Sequence, residues 1–294
     1  MTANKLSWFV GRQDRDANVK DFEKKFNQDP YKSLIKESAQ NSIDALDSND
    51  KNDYSLFNYK KEPVELEYQL IELSGEAKKQ WKKAIDFDGS YSHYLDLLED
   101  SFSKQKFMGR DELHKANELK ELKRMRSLMN GNQPIYLLNV IDTNTVGLDG
   151  PDKLTDEGEH RRFGSLFDTT GSGYKGGGAG SWGLGKNSYS NISELNMFIA
   201  CTNPKNTKSS DKTRNDKLRI YGMSINNTAK LPDEEMSPWL TSYWSFGEKT
   251  DFHDVASKNK IDYENDESKE YPTHDWSKSS WNNTEIAKDL YLDA

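Results

Sequence analysis

Between residues 31 and 46, Ile35, Ala39, Ser42, Ile43 and Leu46 recur at helical spacing, and Pro30 stands where helices often begin. The pattern predicts a helix with that stripe toward the core. Lys32, Lys36, Gln40 and Asp47 make its solvent face, and Glu37, Asn41 and Asp44, spaced i, i+4, i+7, share another. After a polar turn over 47–53, Val64, Leu66, Tyr68 and Leu70 alternate with Glu65, Glu67 and Gln69, the period of a half-buried strand. A second, nearly continuous apolar run covers 135–141 and ends in Asp142. Between the two strands the chain is charged and helix-prone. Tyr94, Leu95, Leu97 and Leu98 mark one amphipathic helix, and Leu113, Leu119, Leu122 and Leu128 mark another. Residues 76–131 are therefore expected as a helical insertion between neighbouring strands.

Beyond residue 149 the periodicity weakens. Residues 149–170 are polar, and eight of the nineteen glycines fall between Gly171 and Gly185. A short helix is expected from Lys186, strands over 195–200 and 218–225, and a solvated loop over 203–217. From residue 230 the chain is polar with scattered aromatics (Trp239, Tyr243, Trp244, Phe246), which predicts a peripheral C-terminal extension over 230–294. No internal repeat is visible. The mixture of strands and helices is expected as one α+β domain over 1–294.

Composition narrows the function classes. Hydrophobic residues are 33% and charged residues 31% of 294, so the core must be concentrated in a few segments. There is no run of 18 apolar residues and no N-terminal signal pattern, so no membrane partner is expected. Cys201 is the sole cysteine, which excludes a disulfide framework and suits a reducing, cytoplasmic location. The net charge of -8 argues against a dedicated nucleic-acid binder, though it leaves room for a local basic patch.

Three segments carry candidate chemistry. The first is the polar face Glu37, Asn41, Asp44, which an ion or a water cluster could satisfy. The second is Asp142, a carboxylate at the end of a buried strand, followed by Thr143, Asn144, Thr145, Val146 and Gly147. The third is the glycine-rich run through Gly180, Ser181, Gly183, Gly185 and Lys186. Its backbone N–H groups could approach an anion, aided by a helix N-terminus and a point charge. Gly180 to Lys186 also fits the Walker A spacing, but Asn187 stands where a Mg²⁺-binding hydroxyl belongs and no apolar strand precedes the glycines. A P-loop NTPase is thus one alternative. Another is a non-enzymatic interaction module with a degenerate site, its charged insertion serving as the partner surface.

In this order the three segments resemble the motifs of the GHKL ATPase superfamily (gyrase B, Hsp90, histidine kinases, MutL), whose nucleotide site is the Bergerat fold. Glu37, Asn41, Asp44 and Ala45 resemble its N-box, E-x-x-x-N-x-x-D-A. Asp142 to Gly147 resembles the first glycine box, and Gly180 to Gly185 the second, in the ATP lid. The first box departs from D-x-G-x-G: its first glycine is missing and Gly147 comes one residue late. The family's later threonine, which supports the adenine-side acid, has only Thr228 and Thr241 as candidates. The resemblance implies a two-layer α/β sandwich with a mixed, mostly antiparallel sheet covered on one face by helices.

It also implies roles. Asn41 would bind Mg²⁺ through its amide oxygen, with the triphosphate supplying further ligands, and Glu37 would orient or deprotonate the attacking water. Asp142, with Asp44, Asn144 and Gly147 around it, would read the adenine amino group. Gly180, Ser181, Gly183, Gly185 and Lys186 would wrap the phosphates of ATP. Residues 149–185 would close as a lid, with ATP-dependent homodimerisation or a signal to an effector domain or partner. Such domains rarely act alone, so the chain is expected to be the N-terminal part of a longer protein. The Asn144-Thr145 variant of the box is similar to Hsp90-like ATPases of bacterial restriction and phage defence.

Overall fold

The computed structural model describes residues 5–10, 29–45, 63–104, 112–148, 162–167, 187–204, 217–230, 240–250, 276–278 and 280–292. The first strand, β1 (Ser7–Val10), buries Trp8, whose indole N–H donates to the Ile85 carbonyl at 2.8 Å. Helix α1 (Pro30–Asp44) starts where Asp29 accepts a hydrogen bond from the Lys32 N–H at 3.0 Å, an N-cap that satisfies one of the free donors of the first turn.

The buried stripe of α1 is not the expected one. Leu34, Ser38, Ser42 and, just past the helix, Ala45 are buried, while Ile35 and Ile43 are 57% and 58% exposed. The serines bury without penalty because each hydroxyl bonds back into the helix, Ser38 to the Leu34 carbonyl at 2.7 Å and Ser42 to the Ser38 carbonyl at 2.9 Å. Their small size lets α1 lie close to its neighbours, and the apolar stripe rotates outward.

Strand β2 (Glu65–Leu73) leads into the insertion, which holds α2 (Gly75–Ala84), a π-helical turn (Phe87–Tyr91), α3 (Ser92–Lys104) and α4 (Glu112–Asn130). Strand β3 (Ile135–Thr143) then returns along β2, antiparallel, from Leu73 opposite Ile135 to Glu65 opposite Thr143. Helices therefore lie between β2 and β3, at the tip of a two-stranded hairpin. Its aromatics Phe87, Tyr91 and Tyr94 join Trp8, Leu73 and Ile135 in the main core. Lys78 is buried at the end of α4 and donates to the carbonyls of Leu128, Gly131 and Gln133 at 2.7–2.8 Å, closing that helix terminus.

Short helices α5 (Arg162–Phe167) and α6 (Asn187–Ile192) precede β4 (Met197–Thr202), β5 (Arg219–Lys230), β6 (Leu240–Thr250), β7 (Trp276–Lys278), β8 (Ser280–Trp281) and α7 (Thr284–Asp289). The larger sheet runs β1-β6-β5-β4, with β7 on β6 and β8 on β5. Every described pairing is antiparallel, and the strands form two sheets where one mixed sheet was expected. The α+β class holds. The segment after residue 230, expected to be peripheral, supplies β6, an internal strand between β1 and β5. Phe246 of β6 stands opposite both Trp8 and Gly222, and a Cβ on Gly222 would come within 2.9 Å of the Phe246 Cβ. Among the described residues no helix is long and apolar enough to cross a membrane.

Candidate functional site

The open end of the hairpin, away from the insertion, is where α1, the loop after β3, α6 and the end of β4 meet. α1 packs against α6. The Val146 N–H donates to the Ala45 carbonyl at 3.0 Å and so fastens the loop after β3 to the end of α1. The Ser38 and Tyr68 hydroxyls share a hydrogen bond of 2.7 Å, which joins α1 to β2. These links hold the Glu37–Asn41 face of the helix beside the end of β3.

The Ser42 and Thr145 hydroxyls stand beside Asp142 as hydrogen-bond partners, the single Ser42 hydrogen being shared with the Ser38 carbonyl. Desolvation by the surrounding atoms pushes its carboxyl above the ordinary range, against the pull of those hydrogen bonds. As a residue Asp142 is exposed to solvent. The result is an anionic acceptor oriented by a helix serine and only partly hydrated.

The turn beyond Asp142 is backbone-shaped. Asn144 adopts a φ of 61° and its amide donates to the Pro63 carbonyl at 2.8 Å. Gly147 has a φ of 69°, and a Cβ there would run into the Thr202 hydroxyl and lie 3.3 Å from the Pro204 Cα. The displaced glycine of the first box therefore has a physical requirement at its own position. Thr202 also accepts from the Leu148 N–H at 3.1 Å, and the Arg219 guanidinium donates to the Leu148 carbonyl at 3.2 Å. That guanidinium lies 3.2 Å from the centre of the Phe163 ring and 4.9 Å from that of Trp281, so the loop is braced from β4, β5 and α5 together.

Facing Asn41 is Tyr189 of α6. The Asn41 amide donates to its hydroxyl at 3.4 Å, and its ring tilts against Phe198 at 5.6 Å. Burial pushes the Tyr189 phenol up to about 12; the Asn41 hydrogen bond opposes this, and the charges of Asp142, Tyr68 and Glu37 add to it. Tyr189 thus lies within electrostatic reach of Glu37 and Asp142 as well as in contact with Asn41. It stays protonated through the neutral range.

Six of the proposed residues, Glu37, Asn41, Asp44, Asp142, Asn144 and Gly147, lie on α1 or on the end of β3 and its turn. The side chain of Asp44 lies outside the described set, as do Gly180, Ser181, Gly183, Gly185 and Lys186 entirely. Ser42, Tyr189, Thr202 and Arg219 were not singled out by the motifs. Thr228 and Thr241, the threonines considered from sequence, belong to β5 and β6, and their side chains are not described. Among the described residues no group of three or more His, Cys, Asp or Glu could hold a metal ion. The donor set fits a divalent cation that brings phosphate ligands and takes one neutral amide oxygen from Asn41, the way Mg²⁺ is commonly held with nucleotides. No protein-family model, curated protein or solved structure matches the chain.

Proposed function

We propose that the chain is a Mg²⁺-dependent ATP-binding and hydrolysing domain. The observation that carries this reading is the contact of Asn41 with Tyr189 at 3.4 Å, with Glu37 one turn away on the same helix and Asp142 within electrostatic reach of the same phenol. Asp142 accepts from the adenine amino group. Guanine presents a carbonyl oxygen at the corresponding position, which would face a carboxylate oxygen, so the site discriminates by leaving buried acceptors unpaired. Asn41 contributes its amide oxygen to the cation. Glu37, one turn away on the same face, orients or deprotonates the attacking water, as a carboxylate at hydrogen-bond reach of the reacting centre would. Bound Mg²⁺ supplies charge neutralisation on the phosphates.

The glycine-rich segment wraps the triphosphate through Gly180, Ser181, Gly183, Gly185 and Lys186, and its closure over 149–185 is coupled to homodimerisation or to signalling toward an effector, with phage defence as the context. Support for this part is the glycine spacing and its resemblance to the superfamily. Isothermal titration with a non-hydrolysable ATP analogue and Mg²⁺, against GTP, tests the reading. Heat with ATP and none with GTP is the expected result, and no heat with ATP would sink it. Limited proteolysis with ATP analogue and with ADP tests the lid. Equal cleavage within 149–185 in both states would reject it, and light scattering on the same samples reads dimerisation.

A further inference from the structure

Asn41 has a symmetric shape and an asymmetric chemistry. Its amide can present either an oxygen or an NH₂ group to a cation, and only the oxygen is a ligand. Something must choose between the two orientations. The Asn41 NH₂ donates to the Tyr189 hydroxyl, which leaves the oxygen directed elsewhere. At 3.4 Å this bond is long. The reverse orientation would have Tyr189 donate its own hydrogen to Asn41. In the observed orientation the Asn41 NH₂ is the donor and the Tyr189 oxygen the acceptor. The hydroxyl therefore serves Asn41 as an acceptor. Its ring is held against Phe198 of β4 and its helix packs on α1, so the acceptor is fixed in place by the body of the fold.

We infer that Tyr189 is a positioning residue for the cation: its hydroxyl sets the flip of the Asn41 amide so that the oxygen faces Mg²⁺. This rests on the ATP reading above and adds a residue to it. Tyr189 makes no contact with the reacting atoms in this role, and it acts through Asn41 alone.

The test is Tyr189→Phe, which keeps the ring against Phe198 and removes only the hydroxyl. Affinity for a non-hydrolysable ATP analogue is measured by titration with saturating Mg²⁺ and again in EDTA. The expected result is about a 3–10-fold loss with Mg²⁺, the worth of one hydrogen bond, and no change in EDTA. An equal loss in both conditions, including complete loss of binding, would make Tyr189 merely structural and overturn the inference. So would unchanged affinity in both. Asn41→Asp supplies the second arm, because a carboxylate presents oxygen in either orientation. In that background Tyr189→Phe should no longer alter the Mg²⁺-dependent affinity, and a persisting 3–10-fold loss would overturn the proposal. If the parent protein binds no nucleotide, the ATP reading falls and takes this inference with it; if the parent binds and only the Tyr189→Phe pattern is absent, the ATP reading stands alone.

Discussion

The two ends of the β2–β3 hairpin have opposite physical characters. At the insertion end, Leu73 and Ile135 are buried and stand opposite each other, with Ile71 and Leu137 packed on the same core. At the other end, Leu66 faces Asp142, and both Asp142 and Thr143 are open to solvent. The insertion end closes the terminus of α4 with Lys78 on three carbonyls. The open end keeps a carboxylate raised by desolvation and a tyrosine whose ionisation burial suppresses. One end is optimised for packing, and the other tolerates polar groups whose partners are only partly supplied by the protein. Such separation is what a ligand site on a rigid scaffold requires. It implies that substitutions at one end should alter chemistry and leave stability nearly intact, with the reverse at the other.

The sharpest test of that division is Glu37→Ala. It removes the proposed base and leaves Asn41 and Asp142 in place. ATP hydrolysis should fall roughly 10²–10⁴-fold while analogue binding persists. Single-turnover hydrolysis beside titration measures both, and a parent-like rate would move the catalytic role elsewhere.

Next in size is Asp142→Asn, which turns an acceptor into a group that also donates, opposite an adenine amino group that only donates. ATP affinity should weaken by about 1–3 kcal/mol. The same change should act oppositely on the protein without ligand. Desolvation raises the Asp142 pKa in the folded state, so folding disfavours its ionised form relative to the unfolded chain. The stability set by this group is complete below the unfolded-state value and is lost as pH rises through the folded one. Near neutrality the ionised carboxylate therefore opposes folding, and Asp142→Asn should raise the apo melting temperature while it weakens ATP. A lower apo melting temperature would contradict the desolvation account. In the parent, ATP affinity should decline on acidification at a higher pH than an ordinary aspartate would give.

How far the two ends could be read in advance follows from their chemistry. The hairpin strands announced themselves by alternation and by an apolar run, and the insertion by its leucines. Which face of β2 is covered did not follow, because Leu70 is 69% exposed while Ile71 and Leu73, of opposite phase, meet the insertion. Helix α1 was legible as a helix, but its phase was displaced because Ser38 and Ser42 count as polar until their hydroxyls are seen bonded to the helix itself. Strand β6 was hidden because its apolar positions are interleaved with Ser245, Gly247 and Glu248, and only pairing on both sides makes it a strand. Asn41 and Asp142 were legible as motif positions. Tyr189 was not, since nothing in the polar run Asn187–Ile192 marks a residue that reaches α1.

At the insertion end, Lys78→Met keeps the aliphatic stem and removes the ammonium from three carbonyls. Leaving those acceptors without their donor should destabilise by about 1–3 kcal/mol in urea unfolding, with ATP affinity unchanged. A clear loss of affinity in a folded Lys78→Met protein would mean that the two ends are coupled.

The smallest change proposed is also the most direct probe of that coupling. The Tyr91 hydroxyl is buried and donates to the Leu195 carbonyl at 2.5 Å, with Ser224 at 3.2 Å. Burial pushes its phenol beyond the ordinary range, so it remains a donor at any working pH. Asn196, next along the chain, bonds Glu121 of α4 at 2.8 Å and Asn226 of β5 at 3.0 Å. This polar layer therefore ties the insertion to the turn between α6 and β4, only a few residues from Tyr189. Tyr91→Phe should destabilise the protein by about 1 kcal/mol, the net worth of one buried hydrogen bond with its acceptor left behind. If the division between the ends holds, Mg²⁺-dependent ATP affinity stays within about twofold of the parent, because the Tyr189 ring is anchored by Phe198 independently of Leu195. Urea unfolding and titration on the same preparation read both quantities. A Mg²⁺-specific loss like that expected of Tyr189→Phe would instead make the insertion a lever on the cation site, acting through the α6–β4 turn.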